Sequence, residues 1–327
     1  MQAIALVGGE GTRLRPLTST VPKPALTLVD RPFLAYMIEW LAVHGVTEVV
    51  LACGFLPDVL REALAGEEER AGVAIEFVVE PEPRGTAGAI RFAADELGDR
   101  LGQRFLALNG DVLTDLDLSA LLRAHEERAA RATIGLHPVE DSSAYGLVRS
   151  DEDGAVREFL EKTGEGAPGE VNAGMYVLER SVLDLIPPGE EVSIERDVFP
   201  RLAGDGLHGV RLDGYWMDIG TPERYLAASW DILERRVHTR VEPTRPGVLI
   251  SPEAEVAMDA SLGTRLVLGP GCRVGAGAEL RDSVLLEGCV VGERARVSGS
   301  ILSAGAEVEP GAVVEGIVAA ANERVPA

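Results

Sequence analysis

The sequence predicts two successive architectures: an α/β domain on a Rossmann-like mixed, mostly parallel sheet over residues 1–240, then a left-handed parallel β-helix over 246–320. Three observations carry this. Before residue 110, short apolar runs alternate with amphipathic stretches, the rhythm of strands joined by helical crossovers. After residue 130, β-rich segments crowd together. From about residue 246, aliphatic residues recur every six positions with glycine and small residues between them, resembling the hexapeptide repeats of left-handed β-helices, three units per coil.

In the first half, AIALV (3–7), TEVVLAC (47–53), AIEFVV (74–79) and RFLALN (104–109) are expected as buried strands. The amphipathic stretches 32–43, 57–65 and 86–97 supply the crossovers. Parallel sheets of this kind hold ligands at the carboxyl ends of their strands, where VGGEG and LNGD place glycines and acids. ATIGLH, YGLVRS, VREFLEK and VNAGMYVLE extend the sheet in a mixed sense, and the amphipathic stretch 222–237 closes the domain. In the repeat, Ile250, Val256, Leu262, Leu268, Val274, Leu280, Leu285, Val291, Val297, Leu302, Val308 and Val314 are mostly six apart, with a five at 280/285 and 297/302. The later part therefore repeats every seventeen residues, and about four coils fit between 250 and 318. Each coil buries its aliphatic row only against a neighbour. Cys272 and Cys289 share the seventeen-residue spacing and are expected to stack as small buried thiols.

Composition narrows the function. A chain of 327 residues with 46% hydrophobic content buries a sizeable core without staples. No apolar run is long enough to span a bilayer, and Met1 leads directly into a strand-like segment, so neither an anchor nor a signal peptide is expected. Three cysteines without a CxxC pair argue against a disulfide framework or a zinc site, and point to a reducing cytoplasm. A net charge of −22 disfavours nucleic acid and membrane surfaces. The exception is local: no acid lies between Glu10 and Asp30, while Arg13, Arg15 and Lys23 do, a pattern that suits a small anion or arises from a chance gap. All five histidines precede the repeat, so it lacks the general base of hexapeptide acyltransferases and reads as structural, oligomerising or regulatory.

Only two of the 31 basic residues are lysines, Lys23 and Lys162. Lysine is a compact point charge on a thin stem, suited to a phosphate in a confined site. Lys23 lies in GGEGTRLRPLTSTVPKP (8–24) and Lys162 in FLEKTG (159–164). The glycines of the first segment let backbone N–H groups approach an anion, and Arg13 adds a forked donor. The segment matches neither GxxxxGK[ST] nor GxGxxG, which disfavours a Walker ATPase or a dinucleotide-binding domain.

The full string GGEGTRLRPLTSTVPKP resembles the first motif of the sugar-1-phosphate nucleotidyltransferases. The resemblance continues in order through EPEPRGTAGAI (80–90), LNGDVLTDLDL (108–118), YGLV (145–148), FLEKT (159–163), VNAGMYVLE (171–179), VSIERDVFPRL (192–202) and GYWMDIGTPERYL (214–226). GTAGAI, NGDVLTDLDL and SIERDVFP are closest to the mannose-1-phosphate guanylyltransferases of that family. One departure is EKT where many members have EKP, which bears on subfamily more than on reaction type.

This resemblance implies the roles. Asp111 and Asp218 would hold Mg²⁺, since two hard carboxylates leave room for phosphate oxygens and water; either aspartate alone reads equally as a turn or cap residue. Arg13 and the backbone at Gly8, Gly9, Gly11 and Thr12 would hold the triphosphate, with Leu6, Asn109 and Gly110 completing the nucleotide site. Lys23 would neutralise the α- and leaving phosphates, and Lys162 the sugar phosphate. Tyr145, Gly146, Glu161, Asn172 and Gly174 would meet the sugar. Guanine presents adjacent N–H donors that suit a carboxylate, and the loop before GTAG carries Glu80 and Glu82 where a pyrimidine site would favour glutamine; the two acids also fit a solvated loop. Gly85 and Thr86 would line the base through their backbone.

The partners implied are a nucleoside triphosphate, GTP favoured, and a sugar 1-phosphate, in a homo-oligomer. The reaction is nucleotidyl transfer, GTP and mannose 1-phosphate giving GDP-mannose and pyrophosphate. The alternatives are dTTP or UTP with glucose 1-phosphate or a cyclitol phosphate, and a non-catalytic subunit that senses nucleotide sugar.

Overall fold

The computed structural model describes residues 1–143, 145–160 and 166–327. It separates into two compact units: Met1–Gly9 with Leu34–Trp216, and Glu10–Phe33 with Met217–Ala327.

The first unit is a nine-stranded mixed sheet. Four strands come from the apolar runs read above: β1 (Gln2–Leu6), β2 (Glu48–Cys53), β3 (Ala74–Val79) and β4 (Arg104–Asn109). They pair in parallel in the order β3-β2-β1-β4. The helices α1 (Phe33–Val43), α2 (Pro57–Ala63) and α3 (Gly85–Leu97) connect them. Helix α4 (Leu118–Glu127) follows β4, capped by Asp117, whose Oδ1 accepts from Ala120 N at 3.0 Å. The chain then adds β5 (Ala132–Val139), β6 (Leu147–Ser150), β7 (Val156–Leu160), β8 (Gly169–Glu179) and β9 (Leu207–Arg211). β8 lies antiparallel to both β4 and β5, which makes the sheet mixed. β9 runs parallel to β5. The core packs α3 and the segment around Phe199 against the sheet, with Ile4, Phe105, Ile134 and Tyr176 all at 0% exposure.

The chain moves outward from β1 through β2 to β3 and returns to β4 on the other side of β1, so the order reverses between β1 and β4. That crevice, at the carboxyl ends Leu6 and Asn109, is where an open α/β sheet can admit a ligand.

In the second unit, Lys23–Ala25 forms a 3₁₀ turn and Thr27–Leu28 pairs with Arg31–Pro32. Helix α5 (Pro222–Leu233) is capped by Thr221, whose side chain accepts from Arg224 N. It stops short of the stretch read from sequence because Arg235 takes φ 58°, a left-handed conformation that ends a helix.

Beyond it, parallel strands from Val248 to Val325 stack in three sheets of a left-handed β-helix. The aliphatic positions fall into three columns: Ile250-Leu268-Leu285-Leu302, Val256-Val274-Val291-Val308 and Leu262-Leu280-Val297-Val314. Each column is a ladder between coils, and the side chains form one continuous core. Cys272 and Cys289 lie in it, fully buried, their thiols donating to Leu286 O at 3.0 Å and Ser303 O at 3.1 Å.

Candidate active site

In the first unit the site begins at the crevice between β1 and β4. Val7 N donates to Ala52 O at 2.9 Å, carrying the chain past the strand end into exposed Gly8 and Gly9. Gly110 N donates to Leu6 O at 2.9 Å. A Cβ at Gly110 would lie 2.7 Å from that same oxygen and against the Val7 side chain. The glycine of the NGD motif is therefore a packing requirement that brings Asn109 and Asp111 up to the end of β1. Gly174, at φ 72°, packs a bare Cα on Asn109, where a Cβ would meet Nδ2 at 2.8 Å.

Glu80 is 9% exposed and lies beside Gly8, whose Cβ position is 3.6 Å from Glu80 Oε1. Burial pushes its carboxyl above the ordinary carboxylate range, against the lowering effect of the Arg84 backbone N–H and charge. Glu82 is solvent-exposed. The two acids thus divide: Glu80 is buried beside Gly8 and Glu82 is a solvated loop residue.

Gly85 opens α3 at φ 67°, and a Cβ there would stand 2.7 Å from Val192 O. Ala87 N donates to Val192 O at 2.9 Å, and Val192 N to Arg84 O at 2.9 Å. Thr86 Oγ1 accepts from Ile194 N at 2.8 Å and donates to Glu195 Oε2 at 3.1 Å. Asn172, half-buried on β8, accepts from Gly174 N at 2.9 Å and donates from Nδ2 to Tyr176 Oη at 2.8 Å. Tyr145 sets its edge on the Trp216 ring at 5.3 Å, while Trp216 donates to Ala173 O at 2.9 Å. Gly146 is half-buried next to Tyr145. Leu6, Gly8, Glu80, Asn109, Gly110, Asp111, Asn172 and Gly174 are thereby gathered at one end of the sheet. Glu161 and Lys162 lie outside the described residues.

The remaining residues singled out in the sequence lie in the second unit, described by itself. Gly11, at φ 61°, starts the 3₁₀ turn Thr12–Leu14. Thr18 Oγ1 donates to Gly11 O at 2.8 Å, closing the loop. A Cβ at Gly11 would come within 3.1 Å of Thr18 Cγ2 and 3.2 Å of Lys23 Cβ. Lys23 is buried, between Pro22 and Pro24, and Thr12 and Arg13 are exposed. Asp218 is ion-paired with Arg224. Gly220 packs against both side chains, since a Cβ would sit 2.8 Å from Arg13 Nη2 and 3.2 Å from Asp218 Oδ2 and the guanidinium would have to shift. This unit therefore combines a glycine-opened loop, the three cations Arg13, Lys23 and Arg224, and the Asp218 carboxylate.

Sequence reasoning assigned no role to Glu195, Tyr176 or Arg224. Tyr176, Glu195 and Arg224 stand inside the motif strings VNAGMYVLE, VSIERDVFPRL and GYWMDIGTPERYL, so the motifs flagged the places and not the contacts. Among the described residues, no group of three or more His, Cys, Asp or Glu is placed to hold a metal. No described helix is long and apolar enough to cross a membrane.

The Nucleotidyl transferase family profile matches residues 2–235, and that of the GMPPB C-terminal domain matches 244–325. Mannose-1-phosphate guanylyltransferase of Mycobacterium tuberculosis is 39% identical over 297 residues, 88% of this chain and 81% of that protein. Mannose-1-phosphate guanyltransferase of Schizosaccharomyces pombe is 37% identical over 276 residues, covering 84% and 74%. Among solved structures, HddC from Yersinia pseudotuberculosis complexed with GMP-PN aligns with a TM-score of 0.61 at 28% identity, over 71% of this chain and 99% of that one. With both domains matched and relatives this similar along most of their length, the motif order, the sheet with its reversal point and the stacked repeat have one reading: the chain belongs to the nucleotidyl transferase family.

Proposed function

We propose that the protein transfers GMP from GTP to mannose 1-phosphate, giving GDP-mannose and pyrophosphate. The geometric observation that carries the choice of base is Glu80, a buried carboxylate beside Gly8 that can accept from the adjacent N1–H and N2–H₂ of guanine. The relatives named mannose-1-phosphate guanylyltransferase support the choice of sugar.

In this reading the sugar-phosphate oxygen attacks the α-phosphorus in line, the Pα–O bond to the β-phosphate breaks, and pyrophosphate leaves with the electron pair. The nucleophile is already ionised, so the protein supplies position and positive charge with no general base. The exposed Gly8 and Gly9, the Gly11–Thr12 backbone and Arg13 would hold the triphosphate. Lys23 would neutralise the α- and leaving phosphates, and Lys162 the sugar phosphate. Enzymes of this family use a divalent metal. Mg²⁺ is the ion proposed here, with Asp111 and Asp218 as its ligands. Both offer hard carboxylate oxygen, and Asp218 would exchange its Arg224 partner for the cation. When bound, the ion would screen the phosphates' negative charge. Self-association through the repeat domain and a cytoplasmic setting belong to the same proposal.

The test is pyrophosphate release across GTP, dTTP and UTP crossed with mannose and glucose 1-phosphates. GTP with mannose 1-phosphate should be the fastest pair; preference for a pyrimidine triphosphate would overturn the guanylyl reading. Chelation should abolish turnover and Mg²⁺ restore it. Asp111→Asn should cut Mg²⁺-dependent kcat roughly a hundredfold or more, and near-normal turnover in that variant would remove Asp111 from the metal site.

A further inference from the structure

Five side chains in the first unit form one chain of hydrogen bonds whose direction is fixed from both ends. Gly174 N can only donate, so the Asn172 atom that meets it at 2.9 Å is Oδ1. Asn172 Nδ2 then faces Tyr176 Oη at 2.8 Å and donates to it. The tyrosine's own proton goes to Glu195 Oε1 at 3.1 Å. The second carboxylate oxygen of Glu195 accepts from Thr86 Oγ1 at 3.1 Å and Ser193 Oγ at 3.0 Å. At the far end Ile194 N donates to Thr86 Oγ1 at 2.8 Å. Tyr176 is fully buried, and burial first, then the negative charge of Glu195, holds its hydroxyl well above the usual tyrosine range, so it stays a donor. Glu195 sits on a single π-helical turn, Ile194–Val198, an uncommon geometry that is frequent at functional sites.

We propose that Glu195 is a positioning residue that sets two binding surfaces from one carboxylate. Through Tyr176 it fixes the amide orientation of Asn172, leaving one Nδ2–H and one Oδ1 lone pair for a sugar hydroxyl. Through Thr86 it fixes the first turn of α3, whose backbone meets the base. The inference rests on the reading that Asn172 contacts the sugar and that Gly85 and Thr86 line the base. It adds that the two surfaces share a single frame and that each arm can be cut alone. A carboxylate suits this task because both of its oxygens only accept, whereas glutamine has one accepting oxygen for donors arriving on two sides.

The experiment measures KM for each substrate, using the pair the wild-type enzyme turns over fastest. Tyr176→Phe removes only the arm to Asn172 and should raise KM for the sugar 1-phosphate about tenfold, with KM for the triphosphate within about twofold of wild type. Thr86→Val removes the other arm and should reverse that pattern. Glu195→Gln should raise both constants, and the Tyr176→Phe/Glu195→Gln pair should cost no more in sugar-phosphate KM than Tyr176→Phe alone. A merely structural role predicts something else: a lower kcat through loss of active protein, with both KM values unchanged. That result, equal shifts of both KM values in Tyr176→Phe, or additive penalties in the double variant would each overturn the proposal. If Tyr176→Phe fails to fold, the opposite-substrate shift in Thr86→Val and the dual shift in Glu195→Gln decide it. Failure of the wild-type protein to release pyrophosphate from any pair would instead sink the functional reading beneath it.

Discussion

Burial raises the Glu80 carboxyl, with the Arg84 backbone and charge opposing, so its ionised form carries a desolvation cost in the ligand-free protein. Below the ordinary carboxyl range, roughly pH 4, the group is protonated both folded and unfolded, and the cost is absent. It appears as pH rises through the elevated folded-state value. Glu80→Gln should therefore show a higher Tm than wild type at pH 7 and none of that advantage at pH 4, while raising KM for GTP about tenfold; thermal melts at the two pH values with GTP kinetics check this. Lys23 is the other informative residue: it is buried between two prolines, its Cβ against Gly11. Replacing it by arginine asks a bulkier fork to fit that space, and Lys23→Arg should lower kcat about tenfold or more. Both residues were singled out in the sequence by their motif contexts. Burial of Glu80 and exposure of Glu82 were not legible, since neighbouring acids in one loop look alike until the chain path places one of them beside Gly8.

Among the elements, the four parallel strands and their crossovers were readable because short apolar runs bounded by glycine and acids have few other uses. Helix α4 and strand β9 went unread. The first begins at the end of a string read only for Asp111, with Asp117 as its cap, and the second, LHGVR, has only two buried residues in five. The stretch 57–65 is shorter as a helix, Pro57–Ala63, and a second helix, Glu67–Ala71, starts after Gly66 at φ 86°. At the start of α3, Gly85 combines a positive φ with a Cβ position 2.7 Å from Val192 O. Gly85→Ala should cost about 2 kcal/mol or more of stability in denaturant titrations, and should lift the Thr86 turn off its partners. An alanine variant as stable as wild type would mean that this turn adapts.

For the molecule as a whole, the motifs pointed to the family that the profiles match, because strings of this length in a fixed order are far more specific than any one residue. The hydrogen-bonded chain through Glu195 could not be seen that way: its members lie on three segments that are distant in sequence, and only folding brings them together. In the repeat, periodicity alone revealed the stacking, since every coil must present the same face to its neighbours. Leu285→Ala in that column should cost about 2–5 kcal/mol, read from chemical denaturation. The vertical register also gives the repeat a reading frame. Ser300 N bonds Ser283 Oγ and Ile317 N bonds Ser300 Oγ, each pair 17 residues apart, so Ser283 and Ser300 occupy the same place in successive coils. Excising Ser283–Gly299 would join Asp282 to Ser300 in phase and leave a shorter stack with every aliphatic residue still facing inward, whereas removing one residue fewer would turn the remaining coils inside out.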